Sequence, residues 1–170
     1  MAGLNDVFAL SLRPDAALEL ALGEVRIHLT SVDIEYTGKI IIHACDYQSE
    51  DKQEAETNII QSGWNLDEVP TNAILGWAKL KTIKLYTESE FKLDKSFHKV
   101  NDFNLLKAQQ QWDKVYGYVI ENHHYLPLPI YGVNKDYTYG DWWTPEDPFD
   151  VLCFKRAFDS QSIDVETVEL

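Results

Sequence analysis

The sequence predicts a mixed α+β domain, and three observations carry that prediction. A short amphipathic helix, opened by Pro14 and closed by Gly23, lies between two strand-like runs. Lys39 to Cys45 is apolar through three consecutive isoleucines, which suits a strand covered on both faces. Ala73 to Leu85 is a second long strand-like run, with helical material before and after it. The chain has 170 residues, enough for one domain with a substantial core and too few for two ordinary ones. We assign residues 1–158 to that domain and 159–170 to an acidic tail expected to be disordered.

Leu4 to Leu12 reads as the first strand, with Val7, Ala9 and Ser11 alternating against Phe8, Leu10 and Leu12. In the helix that follows, Asp15 complements the dipole of the first turn, and Ala17, Leu18, Ala21 and Leu22 form the apolar stripe. Val25 to Thr30 then alternates with period two, placing Val25, Ile27 and Leu29 on one face and Arg26, His28 and Thr30 on the other. Ser49 to Gln61 is acidic and polar and predicts an exposed helix ended by Gly63. Gly76 predicts a bend or bulge in the strand 73–85. Between Thr87 and Tyr116, Phe97, Val100, Phe103 and Leu106 recur at helical spacing and predict core contacts of an inserted helical segment. Asp150 to Phe158 predicts a last strand.

Composition narrows the function. Apolar residues make up 45%, charged residues 25% and aromatic residues 12% of the chain, the range of a globular domain rather than a disordered one. No apolar run is long enough to span a bilayer and the N-terminus lacks the pattern of a signal peptide, so the expected location is the cytoplasm, away from membranes. Cys45 and Cys153 sit among apolar neighbours and read as buried hydrophobes; no cysteine and histidine spacing suits zinc, and neither a metal nor a cofactor is expected. The net charge of −13 opposes phosphate binding, and removing residues 159–170 leaves it at −9, so the tail does not account for the acidity.

Four stretches carry a family resemblance. They are Ser11 to Gly23 with the strand after it, Tyr36 to Ala44 with its glycine turn at Gly38, Ala73 to Leu80, and Tyr118-Val-Ile-Glu-Asn122 followed by Leu126-Pro-Leu-Pro-Ile130. In this order and spacing they resemble the ASCH domains of the PUA-like superfamily over about two thirds of the chain. The resemblance implies a PUA-like β-barrel with flanking helices. It also implies a cleft for RNA, another nucleic acid or a nucleotide-like ligand, lined by a GxKxxExR run that starts at the glycine after the first helix. Here that run reads Gly23-Glu-Val-Arg-Ile-His-Leu-Thr30. Only the glycine matches; Val25, His28 and Thr30 stand where the family has its lysine, glutamate and arginine, so no signature role transfers. Some superfamily members are amidohydrolases acting on acetylated cytidine, but Thr30 has no evident activating base, and the reading leans away from an enzyme.

Two sites remain as candidates. Arg26, His28 and Thr30 share one strand face and could line the cleft, with Lys79, Lys81 and Lys84 near Trp77 and Tyr86 adding the charge and stacking surface that a single-stranded nucleic acid needs. The same lysines would equally protect an exposed sheet edge. The second candidate is the segment 131–149, a loop by its glycines, prolines and aspartates, yet too rich in aromatics to stand in water. Tyr137, Tyr139, Trp142 and Trp143 there either close the barrel or form an acidic, aromatic interface for a protein partner. The two functional expectations are thus an RNA- or nucleotide-binding domain and a protein-interaction module with a decayed cleft.

Overall fold

A computed structural model describes residues 8–48, 50–131 and 139–144. Its strands are β1 (Phe8–Leu12), β2 (Ile27–Thr30), β3 (Gly38–Ala44), β4 (Ala73–Leu85), β5 (Tyr116–Tyr131) and β6 (Trp142–Trp143). Its helices are α1 (Pro14–Leu22), α2 (Lys52–Gln61), α3 (Glu88–Leu93), α4 (Lys95–His98) and α5 (Phe103–Gln110), with a 3-10 turn at Leu66–Glu68. The strands form one sheet in the order β2-β5-β4-β3-β1-β6, antiparallel except for the β1–β3 pair.

The sheet curls into a partial barrel. β5 and β6 stand four places apart, about 19 Å in a flat sheet at ~4.8 Å per strand, yet the Tyr118 and Trp142 ring centroids are 5.6 Å apart. α1 packs into the inner face. Its Ala17, Leu18, Leu20 and Ala21 are buried against Leu10, Leu12, Ile40, Ile42, Leu75, Leu80 and Ile120. Gly23 ends the helix at φ 77°, with its N–H on Leu20 O and the Glu24 N–H on Glu19 O, the paired C-terminal bonds that a left-handed residue permits.

β4 is the strand predicted from 73 to 85, and its register shifts at Gly76. The shift puts both Leu75 and Ala78 in the inner core, which strict alternation forbids. A Cβ on Gly76 would lie 2.1 Å from the His124 carbonyl oxygen, so the close approach of β5 requires glycine. β5 runs unbroken where the sequence suggested two pieces. Pro127 and Pro129 fall between Tyr125, opposite Gly76, and Ile130, opposite Ile74, where β5 has residues to spare and no ladder donor is needed.

The outer face of β2 and β5 is covered by α3, α4 and α5. Ile27, Tyr86, Phe91 and Val115 are buried there, packed by Leu29, Val100, Phe103, Leu106 and Trp112. Thr87 caps α3 and Asp102 caps α5, each accepting from a backbone N–H. Phe97 departs from its expected core role: it is 42% exposed, and Phe91 with His98 fills the centre instead. His98 Nε2 is 2.7 Å from Phe91 O, Val100 N–H donates to Nδ1, and the ring stacks 4.0 Å from that of Phe91.

The helix predicted over 49–61 is α2, with Ala55 and Ile59 buried. Cys45 is buried and its thiol is pushed up to about 11, chiefly by burial. The expected strand at 150–158, Cys153 and the tail 159–170 lie outside the described residues. Among the described residues no helix is long and apolar enough to cross a membrane.

Candidate functional site

β2 is an edge strand, paired to β5 as Ile27↔Val119, His28↔Tyr118, Leu29↔Gly117 and Thr30↔Tyr116. His28 and Thr30 therefore share the inner face with Tyr118, as the period-two reading expected. Arg26 leads into the strand, exposed, with its N–H on Phe97 O and its carbonyl accepting from Ile120 N–H. His28 and Thr30 are brought together, with Arg26 just outside the strand, but the space beneath them is occupied. Tyr118 is 1% exposed, its ring centroid lies 6.0 Å from that of His28, and its hydroxyl donates to Val32 O at 2.6 Å. The Trp142 ring packs edge-on against that of Tyr118, with centroids 5.6 Å apart. Phe8 packs edge-on against Tyr36 and Trp142, completing an aromatic plug at the barrel mouth. A rim of His28 still meets solvent, yet the packing around its ring drives its pKa down to about 4, so it is neutral at pH 7.

The lysines are elsewhere. Lys79 pairs across the sheet with Glu121, whose neighbour Ile120 points to the inner core, so Lys79 and Glu121 lie on the outer face. Lys79 Nζ and Lys81 Nζ are each 3.8 Å from a Glu121 carboxylate oxygen, and Lys84 Nζ is 2.9 Å from Asp94. Tyr86 donates to the same Asp94. Each of these cations already has a carboxylate, and none joins the Arg26–His28–Thr30 face.

Of the aromatic segment, Tyr137 lies outside the described residues. The sequence read Trp142 and Trp143 as loop; they form β6 and pair with Leu10 and Ala9. Trp143 N–H donates to Ser11 Oγ at 2.9 Å and its ring meets His43 edge-on at 5.6 Å. The Tyr139 hydroxyl accepts from Gln48 N–H and donates to Asp51. All three are half-buried and make these contacts inward.

Sequence reading missed one pair that resembles chemistry. Ser11 Oγ is 2.8 Å from His43 Nδ1, brought there by the parallel register Ser11↔His43. Trp143 donates to the same Ser11 Oγ, and the direction of the Ser11–His43 bond follows the His43 tautomer. Both residues are 0% exposed, and burial drives the His43 pKa down to about 4. A base that is sealed and weakened in this way reads as a structural bond joining β1, β3 and β6, not as the activator of a nucleophile.

The open space adjoins β2. A pocket of about 220 Å³ lies between α1, β2 and the helical layer, lined chiefly by Leu20, Val25, Ile27, Val100, Leu106 and Trp112. Glu19, His28 and His98 are its titratable groups. Burial, aided by Asp15 and Glu24, raises the Glu19 pKa, and burial lowers that of His98. Beyond Trp112 a wider recess of about 500 Å³ carries Asp33, Asp113 and Lys114. Neither lining has a surplus of positive charge. Among the described residues no group of three His, Cys, Asp or Glu side chains could hold a metal ion.

No protein-family model matches the chain, and no curated protein matches it. Solved structures do. The crystal structure of ASCH from Zymomonas mobilis superposes with a TM-score of 0.58 at 11% identity, covering 88% of this chain and 94% of that one. Two mutant proteins of the same ASCH give 0.59 at 12% identity, covering 90% and 99%, and 0.57 at 13%, covering 86% and 96%. At such identities the likeness establishes fold, and the fold is the α+β, partly closed barrel shared with that ASCH structure.

Proposed function

We propose that this chain is a non-catalytic binding domain on an ASCH-like barrel, and that it recognises protein rather than nucleic acid. One observation carries the reading: Lys79, Lys81 and Lys84, the cations expected to attract a phosphate backbone, lie on the outer face away from His28 and Thr30, with Glu121 and Asp94 offsetting two of their three charges. The cleft face of His28 and Thr30 is filled from below by Tyr118 and Trp142, which leaves no seat for a stacked base without rearrangement. A net charge of −13 adds a repulsive field. The helical layer beside the pocket instead exposes Leu93 at 80%, Leu105 at 52% and Phe97 at 42%, the kind of apolar surface that protein partners cover.

The test is fluorescence polarisation with labelled single-stranded RNA, duplex RNA and duplex DNA over a salt series, using the parent and the Arg26→Ala/His28→Ala double variant. The expected result is no micromolar binding even at low salt, where phosphate attraction is strongest. Micromolar binding that weakens steeply with salt and vanishes in the double variant would overturn the protein reading. It would restore the nucleic-acid function that the family resemblance implies, centred on Arg26, His28 and Thr30.

A further inference from the structure

We propose that the pocket between α1, β2 and the helical layer is a receptor for one cationic side chain of a protein partner, a lysine or arginine whose aliphatic stem lies on Val25, Ile27, Leu106 and Trp112 and whose charge meets Glu19. This deepens the protein-binding reading and rests on it.

Size sets the first limit. Pockets for drug-sized ligands run from about 300 to 1,000 Å³; one of about 220 Å³ suits a single long side chain or a fragment of similar bulk. The walls set the second, because apolar lining stabilises methylene groups and offers little to a polar stem. The third is the carboxylate. Asp15, one turn before Glu19, is fully engaged by Arg13 at 2.6 and 2.8 Å and by Asn58 at 2.9 Å. Arg13 also reaches Glu54 and Asp51, so its charge is spread over other acids. No donor among the described residues is within hydrogen-bond reach of the half-buried Glu19 carboxylate, and its nearest acidic neighbours are Asp15 and Glu24.

A carboxylate in an apolar wall, flanked by like charge, gains from an incoming cation and loses from an incoming anion. Neither histidine of the lining competes. His98 has both ring nitrogens engaged, and burial keeps His28 uncharged, so no cation of the lining opposes the guest; Arg13 acts on Glu19 from outside the pocket, where burial, Asp15 and Glu24 together outweigh it. Arg26 is exposed at the strand entrance and does not line the pocket. The acidic field of the whole chain raises the local concentration of basic partners.

The experiment titrates the full chain with n-butylammonium, n-butylguanidinium, n-butanol and butyrate. It follows the backbone amides of Val25 to Leu29 and the Trp112 indole N–H by NMR. The two cations are expected to shift these signals saturably, at least tenfold more tightly than butanol, with butyrate silent. Glu19→Gln, which keeps the shape, should reduce cation affinity at least tenfold and leave that of butanol unchanged. Ala16→Met, which fills the pocket, should abolish both. Equal binding of cation and alcohol, an unchanged affinity in Glu19→Gln, or no shift with any probe would overturn the proposal. The probes contain no phosphate and no peptide, so the pocket can stand while the protein reading falls to the nucleic-acid titration, or fall while that reading stands.

Discussion

The two faces of β2 differ in what covers them. On the inner face, His28 and Thr30 lie beside Tyr118 and the continuous barrel core, backed by strands buried over consecutive residues, as at Ile40 to Ala44 and Ala73 to Ala78. On the outer face, Ile27 and Leu29 meet three helices of eight residues or fewer that bury Phe91 as their one large side chain below 2% exposure. Helices this short have little stability of their own and hold their place through packing. The barrel is thus the rigid partner and the helical layer the loosely held one, and the pocket lies on their seam.

The strongest way to break this contrast is Phe91→Ala. Removing the aromatic anchor should cost about 3–5 kcal/mol in urea unfolding. Hydrogen exchange should accelerate throughout 88–110 while Ile40 to Ala44 stay protected. Uniform acceleration would show that the two layers unfold as one.

An acid titration is the next largest effect. Burial lowers the pKa of His28 and His43 to about 4 in the folded chain, below the ordinary 6.5 of a free imidazole, so the unfolded chain takes up protons first. Their contribution is fully present above pH ~6.5 and is lost as pH falls toward 4, at about 1.4 kcal/mol per pH unit for each histidine that stays neutral. Glu19 acts in the opposite sense, since its raised pKa makes the folded state gain as pH falls. His43→Gln should flatten the dependence measured by thermal unfolding between pH 6.5 and 5; a slope that survives in His28→Gln, His43→Gln and the double variant would sink the assignment.

The smallest effect is expected at the outer rim. Lys81→Ala removes one exposed ion pair with Glu121 and should change stability by less than about 0.5 kcal/mol. A larger loss would mean that the lysine stripe supports the sheet edge.

Legibility in the sequence followed the range of each signal. α1, with Pro14 at its start and Gly23 at its end, and the facing of His28 and Thr30 depend on neighbours a few residues away, and both were readable. Gly76 marked a bulge correctly, but its consequence, the change of parity that separates the Lys79 side from the inner face, depends on β5 approaching at His124. Phe91 was missed because the helical pattern was drawn through Phe97, which looks equivalent by spacing; only the position of α3 over β2 distinguishes them. The Ser11–His43 pair and the strand at Trp142 depend on long-range registers, one parallel and one a two-residue ladder, that leave no periodic trace. Glu19 carries no signal of its own in the sequence, and its isolation beside an apolar wall emerges only once β2 and the helical layer are placed.

The bond from Trp143 to Ser11 spans 132 residues of sequence. On a ribosome adding about 5–20 residues per second, the N-terminal strand must wait on the order of ten seconds for the partner that covers its outer edge. Through that interval Phe8 to Leu12 can pair with β3 and receive α1, but one side of the strand stays open. Synthesis rate and chaperone cover, rather than final stability, then govern how much of the newly made chain escapes edge-to-edge association.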